Sequence, residues 1–69
     1  MKVITQPTAP AKEWEEDGTI IVARWKTGPL TSFRFHGYTG AWYSIGDEDK
    51  YPMADILKKS TILAVFIDN

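Results

Sequence analysis

Few side chains in this sequence are suited to chemistry, and they are scattered. His36 is the single imidazole, and there is no cysteine. A general base needs a substrate pocket and a group that orients it. No companion motif accompanies His36, so it reads as a surface histidine beside Arg34 rather than a catalytic one. One histidine without cysteine also removes paired-histidine and thiolate metal sites. Asp47, Glu48 and Asp49 form an acidic run. Hard cations want about six to eight oxygens, and calcium loops space their carboxylates at alternate positions ahead of a glycine and a distant glutamate. Here Gly46 precedes the run and Lys50 follows it at once, which points to a solvated loop. Gly37, Gly40 and Gly46 make neither a dinucleotide fingerprint nor a phosphate loop. Ser32, Ser44 and Ser60 lack the strand–turn–helix setting of an activated nucleophile. The expectation is a non-enzyme with no cofactor and no metal site.

Binding chemistry has more material. Arg24, Lys26 and Arg34 alternate with Trp25, Phe33 and Phe35, and Trp42 and Tyr43 follow on the next apolar run. Proteins that grip single-stranded nucleic acid place stacking rings and cations together on one sheet face. Alternation along a strand sends successive side chains to opposite faces, so here the rings and the cations separate. Core rings beneath a charged outer face are the more economical reading. The patch of Arg24, Lys26 and Arg34, with Trp42, remains a surface for an acidic partner or a nucleic acid. Trp14 sits among Glu13, Glu15, Glu16 and Asp17. A large ring is costly to leave wet, so Trp14 is expected to pack back on the domain or on a partner. The candidate binding residues are therefore Trp14, Arg24, Lys26, Arg34, His36 and Trp42.

The elements that must position these residues follow from periodicity. Asp17-Gly18 is a turn signal, after which residues 19–26 are rich in β-branched side chains. Thr19, Ile21, Ala23 and Trp25 share one face of that strand; Ile20, Val22, Arg24 and Lys26 share the other. Residues 32–36 alternate Phe33 and Phe35 against Ser32, Arg34 and His36. The glycine-bounded loop 37–40 then turns into residues 41–45, a hairpin signal. Pro52 opens a two-turn helix with Met53, Ile56 and Leu57 in one stripe, acids upstream and Lys58 and Lys59 in its last turn. Residues 62–67 are an unbroken apolar run, the pattern of a strand buried on both faces. Lys2 to Thr5 fits a short edge strand, and Pro7 and Pro10 break regular structure after it.

The fold expected is a small α+β domain in the order β-β-β-α-β with one short helix, the alternative being an SH3-like small barrel. Residues 1–17 form an N-terminal arm, partly irregular, and residues 18–69 the single domain. The expected core is Ile21, Trp25, Phe33, Phe35, Tyr43, Ile56, Leu57, Leu63, Val65 and Ile67.

Composition limits what such a domain can do. The chain has 69 residues, 43% hydrophobic and 25% charged, with a net charge of -1. A pI near 5.7 leaves no electrostatic footprint for duplex DNA, and the charge is far too small for a DNA mimic. No stretch approaches the roughly 20 apolar residues of a membrane span, and Lys2 is followed by no apolar leader. A reducing cytoplasmic setting is the default for a cysteine-free chain. Disulfides cannot support so thin a core, so packing or association must. The final apolar strand is more than a chain of this length easily hides. A homodimer through Ile62, Ala64 and Phe66 is expected on that ground. The leading function is a non-catalytic protein-interaction module; the alternatives are single-stranded nucleic-acid binding and a small structural piece of a larger assembly.

The runs Ala23-Arg24-Trp25-Lys26, Gly40-Ala41-Trp42-Tyr43-Ser44 and Gly46-Asp47 together resemble small uncharacterised proteins encoded by bacteriophages, especially those of actinobacteria. The resemblance covers about residues 18–50. It implies a small accessory protein acting in the host cytoplasm on a host or phage macromolecule, and it implies no catalytic residue.

Overall fold

The computed structural model describes residues 1–68. The chain forms strand β1 (Lys2–Thr5), a 3-10 turn (Lys12–Trp14), β2 (Ile20–Trp25), β3 (Leu30–His36), β4 (Ala41–Ser44), β5 (Lys50–Tyr51), helix α1 (Met53–Lys59) and β6 (Ser60–Ile67). All six strands join one sheet in the order β1-β6-β2-β3-β4-β5, with every neighbouring pair antiparallel. One antiparallel sheet with one short helix suits both a small α+β domain and a small barrel. The element order is longer than the β-β-β-α-β expected, because β1 pairs with β6 and the two-residue β5 adds an edge beyond β4.

The meander β2-β3-β4 follows the alternation in the sequence. Ile21 pairs with Phe33 and Phe35 with Trp42, which gathers their side chains on one face; Ile20 pairs with Arg34 and Arg34 with Tyr43 on the other. The loop between β3 and β4 sets this register by pairing His36 with Ala41. It closes on Gly40, whose φ of +69° is a left-handed conformation that a side chain would strain. Gly37 has a different reason for its size. A Cβ there would stand 3.1 Å from the Cβ of Asp17, whose carboxylate accepts the Gly37 N–H at 3.0 Å.

After the helix the chain returns between β1 and β2, where the backbone of the apolar run is paired along both edges. Ser60 joins the two elements: both its backbone N–H and its hydroxyl, the latter at 2.6 Å, donate to the Ile56 carbonyl at the end of the helix. Along β6, Val22 opposes Ala64 while Ala23 opposes Ile62. Leu63 is thus an extra residue on β6, a β-bulge, and its carbonyl accepts the Gln6 N–H at 2.8 Å. The bulge reverses the face of everything before it. Ile62 turns inward with Val65 and Ile67, whereas Ala64 and Phe66 remain on the outer face half-buried. The three residues expected to form one dimer face therefore do not share a face.

The core consists of Trp14, Ile21, Ala23, Phe33, Phe35, Trp42, Ile56, Ile62, Val65 and Ile67, with Ile4, Trp25, Tyr51 and Met53 packed against it. Both α1, through Ile56, and the 3-10 turn, through Trp14, cover the same sheet face. Three expected core residues lie elsewhere. Tyr43 pairs with Arg34 on the outer face, Leu57 is 43% exposed on the outer side of the helix, and Leu63 occupies the bulge. The outer face carries Val3, Ile20, Val22, Ala64 and Phe66 as a stripe across β1, β6 and β2, all exposed or half-buried.

Candidate functional site

The two faces divide the candidate binding residues. Trp14 and Trp42 come together on the covered face. Arg24, Arg34 and His36 stand on the open one. Arg24 is at its far end, donating through Nη1 to the Gly28 carbonyl at 2.8 Å. Lys26 belongs to neither group: it is exposed in the turn after β2, where its backbone N–H is bonded to the Lys59 carbonyl at 2.9 Å.

Trp14 reaches the core because the arm is tied at several points. β1 pairs with β6 over four residues. The Trp14 N–H donates to Ala11 O at 3.1 Å and the Glu15 N–H to Lys12 O at 2.9 Å, which closes the 3-10 turn. Downstream, the Gly18 N–H donates to Phe35 O at 3.0 Å. The ion pair between Lys2 and Glu13, 2.8 Å long and half-exposed, adds little, since such surface pairs contribute about 0–1 kcal/mol. Trp14 itself is only 1% exposed. Its indole N–H is one of two buried side-chain polar atoms without a hydrogen-bond partner among the described residues, the other being the Thr19 hydroxyl. Leaving such a group unpaired costs roughly 1–3 kcal/mol.

Beside Trp14 runs a half-open groove of about 870 Å³. The arm contributes Pro10, Ala11, Lys12 and Glu15 to its lining. Trp42, Lys50, Tyr51, Pro52 and Met53 line it from β4, β5 and the start of α1, and Phe35 from β3. The rings are mutually braced: Phe35 and Trp42 have centroids 5.0 Å apart and tilted at 61°. Tyr51 stands edge-on to Phe33 at 5.3 Å and beside Trp25 at 5.7 Å. Burial, then the negative charges of Asp47, Asp49 and Asp55, push the Tyr51 hydroxyl above its usual value. This volume falls within the roughly 300–1,000 Å³ of ordinary ligand sites, and an apolar floor with a few polar groups at the rim is their usual composition. Phe35, Tyr51 and Pro52 are site residues missed by reasoning from sequence. The Tyr51-Pro52 pair directly after the acidic loop was the available signal.

On the open face Arg34, His36 and Tyr43 stand together. The His36 and Tyr43 rings are 4.6 Å apart and nearly perpendicular. With Ser44, Ile45 and Glu48 they line a second, smaller cleft of about 420 Å³. Trp42 points away from this cluster, so a nucleic acid held by Arg34 would stack on Tyr43 rather than on Trp42.

The acidic loop is held by its own backbone. Asp47 accepts the Asp49 N–H at 3.1 Å, and this bond first, then the Ser44 hydroxyl, keeps its carboxyl below the usual value. Glu48 adopts a left-handed φ of +60° there. Among the described residues no three His, Cys, Asp or Glu side chains gather as a metal site, and no helix is long and apolar enough to cross a membrane. No family model matches the chain, and neither curated proteins nor solved structures match it.

Proposed function

We propose that this protein is a non-catalytic protein-interaction module that docks an extended segment of a partner in the groove between its N-terminal arm and β4-β5. One observation carries the reading: two tryptophans from opposite halves of the chain, Trp14 and Trp42, wall a single half-open apolar groove. Its lining holds rings, prolines, amines and one carboxylate, Glu15, while the single imidazole, His36, is on the other face. The chemistry there favours surface burial over proton transfer. A small interaction module would also fit the accessory role implied by the resemblance of residues 18–50 to bacteriophage proteins.

Selection of a random peptide library against the whole chain tests this. Ala11 is exposed at the bank of the groove, so Ala11→Arg should fill the groove without disturbing the core. Enriched peptides are expected to lose affinity by about tenfold or more on this variant, a loss of about 1.4 kcal/mol. A selection that enriches nothing, or peptides indifferent to Ala11→Arg, would sink the reading.

The open face supports a second reading, self-association. Val3, Ile20, Val22 and Phe66 form an apolar stripe that neither α1 nor the 3-10 turn covers, and a sheet face of this kind is normally buried against a second layer. Sedimentation of the wild type is expected to show a dimer that Val22→Lys dissolves. A monomer at every concentration removes this reading and leaves the groove untouched.

A further inference from the structure

We propose that the open face of β3 and β4 binds single-stranded nucleic acid, with one base against Tyr43 and His36 and the flanking phosphates on Arg34 and Arg24. This surface is separate from the groove, which lies on the opposite face of the sheet. Tyr43 on the outer face is what makes it possible. Along each strand the rings and cations of this sequence point apart, but across strands they meet. Arg34 is flanked by Ile20 on β2 and by Tyr43 on β4. Strand register thus sets a ring and a guanidinium side by side on an uncovered sheet face. Sheets that hold unstacked bases use this combination of ring and cation.

These side chains are also accessible. Arg34 is exposed, and His36 and Tyr43 are half-buried, in contrast to Phe35 and Trp42 at 4% and 3% exposure on the other face. The His36 and Tyr43 rings brace each other at 4.6 Å and 76°. With Arg34 they line the cleft of about 420 Å³. That volume lies at the lower end of the roughly 300–1,000 Å³ of small-ligand sites, which suits a single base and not a duplex.

Charge is arranged in the same sense. None of the six strands contains Asp or Glu. Among the described residues the Arg34 guanidinium has neither an ion pair nor a hydrogen bond. Arg24 follows Ile20 by four residues on the same face of β2, about 14 Å along the strand at about 3.4 Å per residue. Glu48 is the one carboxylate of the cleft, and it opposes a phosphate placed there. With a net charge of -1 the protein exerts no long-range pull on a polyanion. Binding therefore rests on stacking, with two phosphate contacts to orient the strand.

The test titrates a fluorescein-labelled thymidine octanucleotide with the whole chain at low salt, read by anisotropy, with 15N spectra to locate the contact. The backbone signals of Arg34, His36 and Tyr43 are expected to shift, while the indole signals of Trp14 and Trp42 stay in place. Each phosphate contact to a single strand contributes a slope of about -0.7 in log K against log salt. Two contacts give about -1.4, and Arg34→Gln should halve it. Tyr43→Ala should weaken binding about tenfold or more, as loss of a stacking ring does. Tyr43→Phe keeps the ring and should bind as the wild type does, and Glu48→Gln should bind more tightly. The indole signals report whether each variant is folded. Absence of binding at low salt overturns the proposal, as does binding that shifts the groove signals instead. A Phe variant as weak as the Ala variant overturns the stacking contact. Octaglutamate or a DNA duplex bound as tightly as the octanucleotide overturns the assignment to single strands.

Discussion

Phe33→Ala is expected to remove about 3–5 kcal/mol of stability. Phe33 is fully buried at the centre of β3, opposite Ile21 on one side and Ser44 on the other. Its ring meets Trp25 edge-on at 5.6 Å and Tyr51 at 5.3 Å. Truncating a buried Phe costs about 3–5 kcal/mol through lost burial, lost ring contacts and the cavity left behind. Stability scales as roughly 0.05–0.15 kcal/mol per residue, which puts a chain of this length at roughly 3–10 kcal/mol. The substitution therefore removes most of the margin in the lower half of that range. Urea denaturation followed by tryptophan fluorescence measures it. Leu30→Ala, on the same strand but 60% exposed, is the control and should change stability by less than about 0.5 kcal/mol. Equal effects from the two variants would mean that Phe33 does not sit where its burial places it.

The contrast between Phe33 and its neighbours shows how much of this fold could be read from the residues. Where rings alternate with charges, as Phe33 and Phe35 do with Arg34 and His36, period two settles both the strand and its inner face. Where two rings are adjacent, it settles nothing. Trp42 and Tyr43 are equally apolar, and the inner one is chosen by the pairing of His36 with Ala41 across the loop. That register depends on Gly40 and on the fit of the whole hairpin, so Tyr43, a core residue by composition alone, pairs with Arg34 on the outer face. The same limit applies to β6. Six consecutive apolar residues carry no phase, and the bulge at Leu63 is a response to β2, so Ile62 changed faces without any local signal.

The candidate site was legible in its residues but not in their grouping. Trp14 and Trp42 were singled out separately, one as an unexplained ring in an acidic segment and one as a companion to Arg34. Only long-range pairing brings them to one groove, through β1 with β6 and through the bond from Gly18 to Phe35. Tyr51 was overlooked because β5 exists only where Trp42 and Tyr43 provide an edge to pair with. Helix α1 is the opposite case. Ile56 facing inward and two lysines in the last turn are local signals that the helix Met53–Lys59 uses, and Pro52, expected to open it, stands one residue earlier as its N-cap.

Trp14→Ala is the second substitution with a large expected effect, and it probes the site and the fold together. The side chain is 1% exposed and is the largest one fully buried. Its removal is expected to cost about 3–5 kcal/mol. The loss should fall unevenly. The 3-10 turn spans three residues and has Trp14 as its one buried residue, so without the ring residues 6–17 should loosen from the sheet. Trypsin reports this directly: cleavage after Lys12 is expected to accelerate in the variant ahead of cleavage at Arg34, which is central in β3. Trp14→Phe separates the ring from its polar atom. It keeps most of the apolar burial and deletes the unpaired N–H, whose burial costs roughly 1–3 kcal/mol. It should therefore recover most of the stability lost in Trp14→Ala. Two results would contradict this account. Unchanged stability in Trp14→Ala would show that the arm is not part of the core. A Phe variant as unstable as the Ala variant would show that the indole N–H is paired in solution and supports the fold. In a cysteine-free chain of 69 residues, one ring carried in from an acidic arm then decides both whether the core is large enough and whether the groove has a wall.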